Sequence, residues 1–298
     1  MSIIEKAASR LNQQAKIPPA RSVPVSPPVL VQAQALPSTP ADEVEPSQAA
    51  DYARENIPSP NRFDIDLLRL QQMGLVTPET GRTAIAEEFR LIKRPIIEKA
   101  FSAEPGSKKR GNLIMVTSAM PGEGKTFCSV NLAMSIAMEL DHTVLLVDAD
   151  VARPSVPRYL GLEAEQGLLD LLHNPDLDVR DVMYSTNVER LRVLPAGRSN
   201  RRATELLASQ AMSRLLEELA SRYPDRIIIF DSPPVLLTSE ARALASQMGQ
   251  IVMVVEAEGT TQRGLKEALR QIGSNDNVNL IYNKAQAFPG TRYYGGYY

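Results

Sequence analysis

From Asn112 onward the chain alternates short apolar runs with longer stretches whose apolar residues recur at helical spacing. The runs predict strands near 113–118, 143–148, 191–195, 226–231, 250–256 and 278–283, and the periodic stretches predict helices near 125–139, 203–222, 238–247 and 261–273. A strand apolar at consecutive positions is buried on both faces, and strands separated by helices run parallel. The pattern therefore predicts an α/β fold, a mostly parallel sheet flanked by helices. Upstream, Phe63 to Met73 reads as a helix closed by Gly74 in a left-handed cap, and Ala84 to Ala100 as a charged helix that Pro95 bends or ends. At the start, Ser2 and Glu5 fit a capping box, with Ile3, Ile4, Ala7, Ala8 and Leu11 on one face. Residues 1–15 thus read as a short amphipathic helix, either a frayed end or a docking element for a partner or a membrane surface.

Between Pro18 and Pro60 this patterning is lost. Ten of the 22 prolines fall there and no glycine does, so 16–62 reads as a disordered, partly extended linker that cannot bury enough apolar surface to offset its ordering entropy. The folded part is expected over 63–283, and 43% hydrophobic content is ample for its core. A net charge of -2 gives no electrostatic footprint for nucleic acid. One cysteine excludes an internal disulfide and two histidines leave little for a zinc site, so Cys128 reads as a core residue. The longest apolar runs, such as Ile251 to Val255, are strand-length, short of the ~20 residues that span a bilayer. With no secretory signal at the start, the expectation is a cytoplasmic protein.

The chemistry sits at the ends of the apolar runs. Ala119-Met120-Pro121-Gly122-Glu123-Gly124-Lys125-Thr126 joins the first strand to its helix and fits a phosphate loop, although Ala119 stands where Gly is commoner. In such a loop backbone N–H groups wrap phosphates, the lysine reaches the outer ones and the hydroxyl ligates magnesium. A second run delivers Asp148 and Asp150 at its carboxyl end, where ligands of open α/β sheets bind, and a third delivers Asp231 in the position of a Walker B carboxylate. Each aspartate alone could be a cap or turn residue; together with the loop they read as a nucleotide and magnesium site. Four of the nine tyrosines, Tyr293, Tyr294, Tyr297 and Tyr298, fall in the last six residues around Gly295-Gly296. They read as phosphate acceptors, with a packing patch or a bland tail as the alternatives. Residues 284–298 extend to at most roughly 50 Å, enough to reach a neighbouring subunit.

From about Ala84 to the C-terminus this combination resembles the bacterial tyrosine kinases of polysaccharide assembly, P-loop NTPases related to MinD/ParA-type ATPases. The phosphate loop, Asp148-Ala149-Asp150 followed by Arg153-Pro154, Asp231-Ser232-Pro233-Pro234 and the tyrosine tail carry the likeness. The N-terminal helix, Pro-rich linker and Gly259-Thr260-Thr261-Gln262 turn are most similar to the exosortase-associated autokinase branch. The resemblance implies ATP and Mg2+ as cofactors, held by Ala119 to Thr126 with Phe127, Arg153 and Asn283, and metal ligation by Thr126, Asp148, Asp150 and Asp231. It implies transfer of phosphate to the terminal tyrosines with Lys125, Asp148, Asp150 and Asp231 as catalytic residues, Asp148 acting as base. Expected partners are further copies of the chain, a ring among the options, a transmembrane polysaccharide co-polymerase as activator at the inner face of the membrane, and a protein tyrosine phosphatase; no nucleic acid is expected.

Three departures and one match matter. Ala152 stands where the family often has a first arginine, and the lysine early in the loop of the MinD/ParA cousins is missing from Ser118-Ala119-Met120. The oligomerisation helix, 84–100, carries Glu87, Arg90 and Lys93 in place of Glu, Arg and Arg, and a lysine lacks the planar fork that grips carboxylates; a solvated charged face is the alternative. Asn283 stands where the superfamily contacts the base, and reads equally as a turn residue. Two rival functions share the motifs: a MinD/ParA-like ATPase serving as a positioning or assembly switch, and a non-catalytic regulatory subunit.

Overall fold

The computed structural model describes residues 61–102, 110–223, 225–273 and 277–285. The N-terminal helix, nearly all of the Pro-rich linker and the tail from 286 onward lie outside the described residues. Eight strands form one sheet among the described residues: β1 Asn61–Phe63, β2 Leu113–Ser118, β3 Thr143–Asp148, β4 Tyr184–Thr186, β5 Leu191–Leu194, β6 Arg226–Asp231, β7 Gln250–Glu256 and β8 Val278–Asn283. Their spatial order is β1-β4-β5-β3-β6-β2-β7-β8, and every pairing is parallel except β4 with β5. The helices are α1 Leu67–Gln72, α2 Ala84–Phe101, α3 Lys125–Ala137, α4 Val156–Leu160, α5 Leu168–His173, α6 Val179–Val182, α7 Ala203–Leu207, α8 Gln210–Arg222, α9 Ser239–Ala245 and α10 Gln262–Ile272.

Side chains alternate across a strand, and the alternation splits the core in two. Met115, Leu145, Val147, Ile228, Phe230 and Met253 face α5 to α10, while Ile114, Val116, Val144, Leu146, Ile229 and Val252 face α1 to α4. The sheet is therefore covered on both sides, as parallel sheets require. Sandwiched deepest is α3, in which Thr126 and the whole run Cys128 to Ala137 are buried. Cys128 is 1% exposed, and burial with Asp231 nearby pushes its thiol up to about 12, so it is an unreactive core residue.

Several local expectations are corrected. The Phe63 to Met73 helix is a short edge strand followed by α1, because Asp66 caps the helix there by accepting from Arg69 N; Gly74 follows it at φ +77°. Pro95 does not end α2, which runs unbroken across it: the carbonyl deprived of its partner is that of Leu91, an exposed position where water can serve. The 203–222 helix is two, α7 and α8, interrupted where Ser209 caps α8 by accepting from Met212 N. Lys93 is not on an outer stripe with Glu87 and Arg90. Its ammonium is buried against the end of α3, donating to Ser135 O at 2.6 Å and pairing with Glu139, whereas Arg90 and Glu87 pair with each other on the exposed side at 2.7 Å.

Candidate functional site

The carboxyl ends of five adjacent strands, β3, β6, β2, β7 and β8, deliver the site. Ala119 to Gly124 leave β2 as a loop that turns into α3, and Gly124 serves as the N-cap at φ +95° with Gly122 at φ +88°. Both angles are in the left-handed region that favours glycine. A Cβ on Gly124 would also lie 2.1 Å from Asn283 Nδ2, so the loop has room only for glycine there. Ala119 is buried, Met120, Pro121 and Gly122 are exposed, and Phe127 is half-buried on the first turn of α3. Glu123, though charged, is 3% exposed: its Oε2 accepts from Met120 N at 2.9 Å and its Oε1 from the Thr260 hydroxyl.

Asp148 and Asp231 are direct neighbours in the β3–β6 register. Asp231 is fully buried; its Oδ2 accepts from Thr126 Oγ1 at 2.7 Å and its Oδ1 from Ser129 Oγ at 3.0 Å. Burial pushes its carboxyl up to about 6, against the opposing pull of Lys125 and of the two hydroxyl bonds. Asp148, equally buried, is pushed up to about 7, first by burial and then by Asp231. Its Oδ2 accepts from Ser155 N and Val156 N, both at 2.9 Å, and its Oδ1 from Asp150 N at 3.2 Å. It therefore shapes the turn carrying Asp150 and Arg153 and touches no open surface here; only Oδ1 keeps a spare lone pair. Asp150 Oδ2 holds Lys125 Nζ at 2.7 Å, with both side chains largely buried. Arg153 is exposed, and its N–H donates to Asp150.

The sequence-predicted phosphate loop, the three aspartates and Asn283 meet in one place. Asn283, however, directs its amide to Glu123 O at 2.9 Å, so its described contact is with the loop. Four participants escaped sequence reasoning: Ser129, Ser155, Thr260 and Lys284. Ser155 Oγ lies 2.9 Å from Thr126 Oγ1, and Lys284 Nζ donates to Gly122 O and Glu256 Oε1, each at 2.8 Å. Ser129 was recoverable, because it stands three residues after Thr126 on the same helical face; the others meet the loop only through the tertiary fold.

The site fits a magnesium nucleotide by the chemistry of its donors. A glycine-bent loop opens α3, Lys125 extends its ammonium to Asp150 beside that loop, and Thr126 and Asp231 are already joined. Among the described residues no three His, Cys, Asp or Glu side chains cluster as a metal cage. Magnesium does not need one, since it is bound through one or two carboxylates plus substrate phosphates. No described helix is long and apolar enough to cross a membrane.

Comparison with known proteins agrees with this arrangement. The AAA_31 family, described as an AAA domain, matches residues 111–283, more than half of the chain. The putative tyrosine-protein kinase EpsB of Ralstonia nicotianae is 33% identical over 187 residues, 62% of this chain, which thus spans only 24% of that relative's length. The tyrosine-protein kinase YwqD of Bacillus subtilis is 34% identical over 192 residues, 64% of this chain and 76% of the relative. The crystal structure of the chimerical protein CapA2B2 superposes with a TM-score of 0.57 at 28% identity, covering 70% of this chain and 95% of that one. With its phosphate loop, paired strand-end aspartates and this sheet order, the chain belongs to the AAA domain family, among the bacterial tyrosine-protein kinases.

Proposed function

We propose that this chain is an ATP-dependent protein-tyrosine kinase that phosphorylates its own terminal cluster, Tyr293, Tyr294, Tyr297 and Tyr298, between subunits, and thereby regulates exopolysaccharide polymerisation or export. The observation that carries the reading is the hydroxyl–carboxylate pair Thr126–Asp231 beside the Lys125–Asp150 ion pair at the mouth of a glycine-bent loop. ATP with Mg2+ would supply the transferable phosphoryl group, held by Gly122, Glu123, Gly124, Lys125 and Thr126, with Asp150 and Asp231 as carboxylates for the metal. Phosphoryl transfer asks a protein mainly for positioning and charge neutralisation, and these residues provide both.

A phenol ionises near pH 10 and is a poor nucleophile while protonated. Asp148, whose carboxyl burial pushes up to about 7, is matched to take that proton at neutral pH, and its Oδ1 keeps a lone pair beyond the bond from Asp150 N. The transmembrane co-polymerase activator and the tyrosine phosphatase belong to this reading as partners, through the family resemblance.

Phosphopeptide mapping after incubation with ATP and magnesium tests it. Wild type should carry phosphotyrosine on the terminal peptide, and Lys125→Met should carry none while keeping its fold. Asp148→Asn should bind nucleotide and lose most transfer. Hydrolysis of ATP without any phosphotyrosine would replace the kinase by an ATPase switch.

A further inference from the structure

Two consecutive carbonyls of the phosphate loop are held by the last residue of β8 and the residue that follows it. Gly122 O accepts from Lys284 Nζ at 2.8 Å, and Glu123 O accepts from Asn283 Nδ2 at 2.9 Å. In a planar trans peptide the C=O and the following N–H point in opposite directions. Fixing these carbonyls on the β8 side therefore turns the N–H groups of Glu123 and Gly124 to the opposite side, where successive N–H groups form an anion-binding concavity. The Lys284 ammonium is itself fixed, because Glu256 Oε1 accepts from it at 2.8 Å.

The backbone strain has the same distribution. Among the described residues only Glu258 and Lys284 have positive φ without being glycine, at +59° and +57°, and they follow β7 and β8 beside the loop. Such conformations cost free energy and persist where the surroundings enforce them, as at ligand sites. At Lys284 the left-handed turn accompanies an ammonium held on both Gly122 and Glu256. Thr260, two residues after Glu258, holds Glu123 by its carboxylate and accepts from Glu256 N at 2.8 Å, so β7 braces the loop from the same flank.

We propose that Lys284 and Asn283 are positioning residues that pre-set the phosphate loop by holding its carbonyls, and that Asn283 acts on the phosphates through the loop instead of reading the base. This rests on the nucleotide-site reading above. Two ligands separate the possibilities: Mg-ADP, and Mg-pyrophosphate, which has no base. Lys284→Ala should weaken both by roughly tenfold, as expected for losing a hydrogen bond from a charged group, and Lys284→Arg should recover most of the loss. Asn283→Ala should weaken both ligands by a similar factor of a few-fold, and because asparagine carries no charge this loss cannot be a long-range attraction. Wild-type affinity in Lys284→Ala would overturn the proposal. A loss in Asn283→Ala confined to Mg-ADP would return that residue to the base. Failure of the wild-type chain to bind either ligand would sink the nucleotide-site reading itself, which the variants cannot do.

Discussion

At the scale of single residues, the two buried carboxylates of the β3–β6 register set the chemistry of the site. Asp148 and Asp231 are raised to about 7 and about 6 from an ordinary value of 3.8, with desolvation the first cause in both. The folded chain thus holds protons that the unfolded chain has released. Their stabilising contribution is complete below about pH 4 and is lost as the pH rises through 6 to 7. Replacing Asp231 by Asn removes the buried charge while leaving partners for both hydroxyls: Thr126 can still donate to the amide oxygen, and Ser129, which also donates to Lys125 O, can accept from the amide nitrogen. Asp231→Asn should therefore raise the stability of the ligand-free protein at pH 8 by roughly 1–2 kcal/mol, a few degrees in melting temperature, with no gain at pH 4. Thermal melts at the two pH values check this; an equal gain at both would detach the effect from ionisation. The same variant should lose magnesium-dependent nucleotide binding, because it removes a carboxylate that the proposed site offers the metal.

At the scale of elements, α2 has two separable jobs. Its inner side places Lys93 on the Ser135 carbonyl in the last turn of α3, where a cation also complements the helix dipole. Its outer side exposes Glu87 and Arg90. Lys93→Met should destabilise the fold by about 1–3 kcal/mol, having removed a charge-assisted bond to Ser135 O and the partner of Glu139. Arg90→Ala should leave the melting temperature nearly unchanged and weaken self-association. Melting curves beside sedimentation profiles distinguish the two; a mass change in Lys93→Met without loss of stability would put that lysine back at an interface. The misplacement of Lys93 shows where sequence reasoning stops. Spacing of three put it on the Glu87–Arg90 stripe, but its long side chain reaches round to α3, a contact that only packing reveals. Of the six longer strands, β2, β3, β6 and β7 were legible because burial on both faces leaves an unbroken apolar run, and β5 and β8 because their apolar residues are interrupted only by Arg192 and Asn279. Strands β1 and β4 were not, since three residues at the sheet's weak side carry no period, nor were α4, α5 and α6, each too short for one. The site divides the same way: the phosphate loop and aspartates are local in sequence, while Ser155, Thr260 and Lys284 join it only when five strand ends converge.

At the scale of the whole molecule, the five strand ends gather the cradle, the carboxylates and the root of the C-terminal segment at one edge of the sheet: Lys284, the residue on Gly122 O, stands nine positions before Tyr293. Phosphates on Tyr293, Tyr294, Tyr297 and Tyr298 would each add about -1.5 to -2 of charge, roughly -6 to -8 within six residues. A neighbour's site that holds nucleotide phosphates would repel such a segment. An unmodified segment carries Arg292 as its only charged side chain after Lys284 and meets no such repulsion. If subunits associate by inserting these segments into one another's sites, phosphorylation ends the association. The unphosphorylated chain should elute as an oligomer and the multiply phosphorylated chain as a monomer, with phosphatase treatment restoring the larger species. The variant with all four tyrosines changed to Phe should stay associated after incubation with ATP and magnesium. Raising the salt to 0.5 M should narrow the difference, because repulsion between exposed charges is screened within a few ångströms at that strength. Identical elution of both forms would leave the tyrosines as acceptors with no part in assembly, and would move the subunit contact to the exposed side of α2.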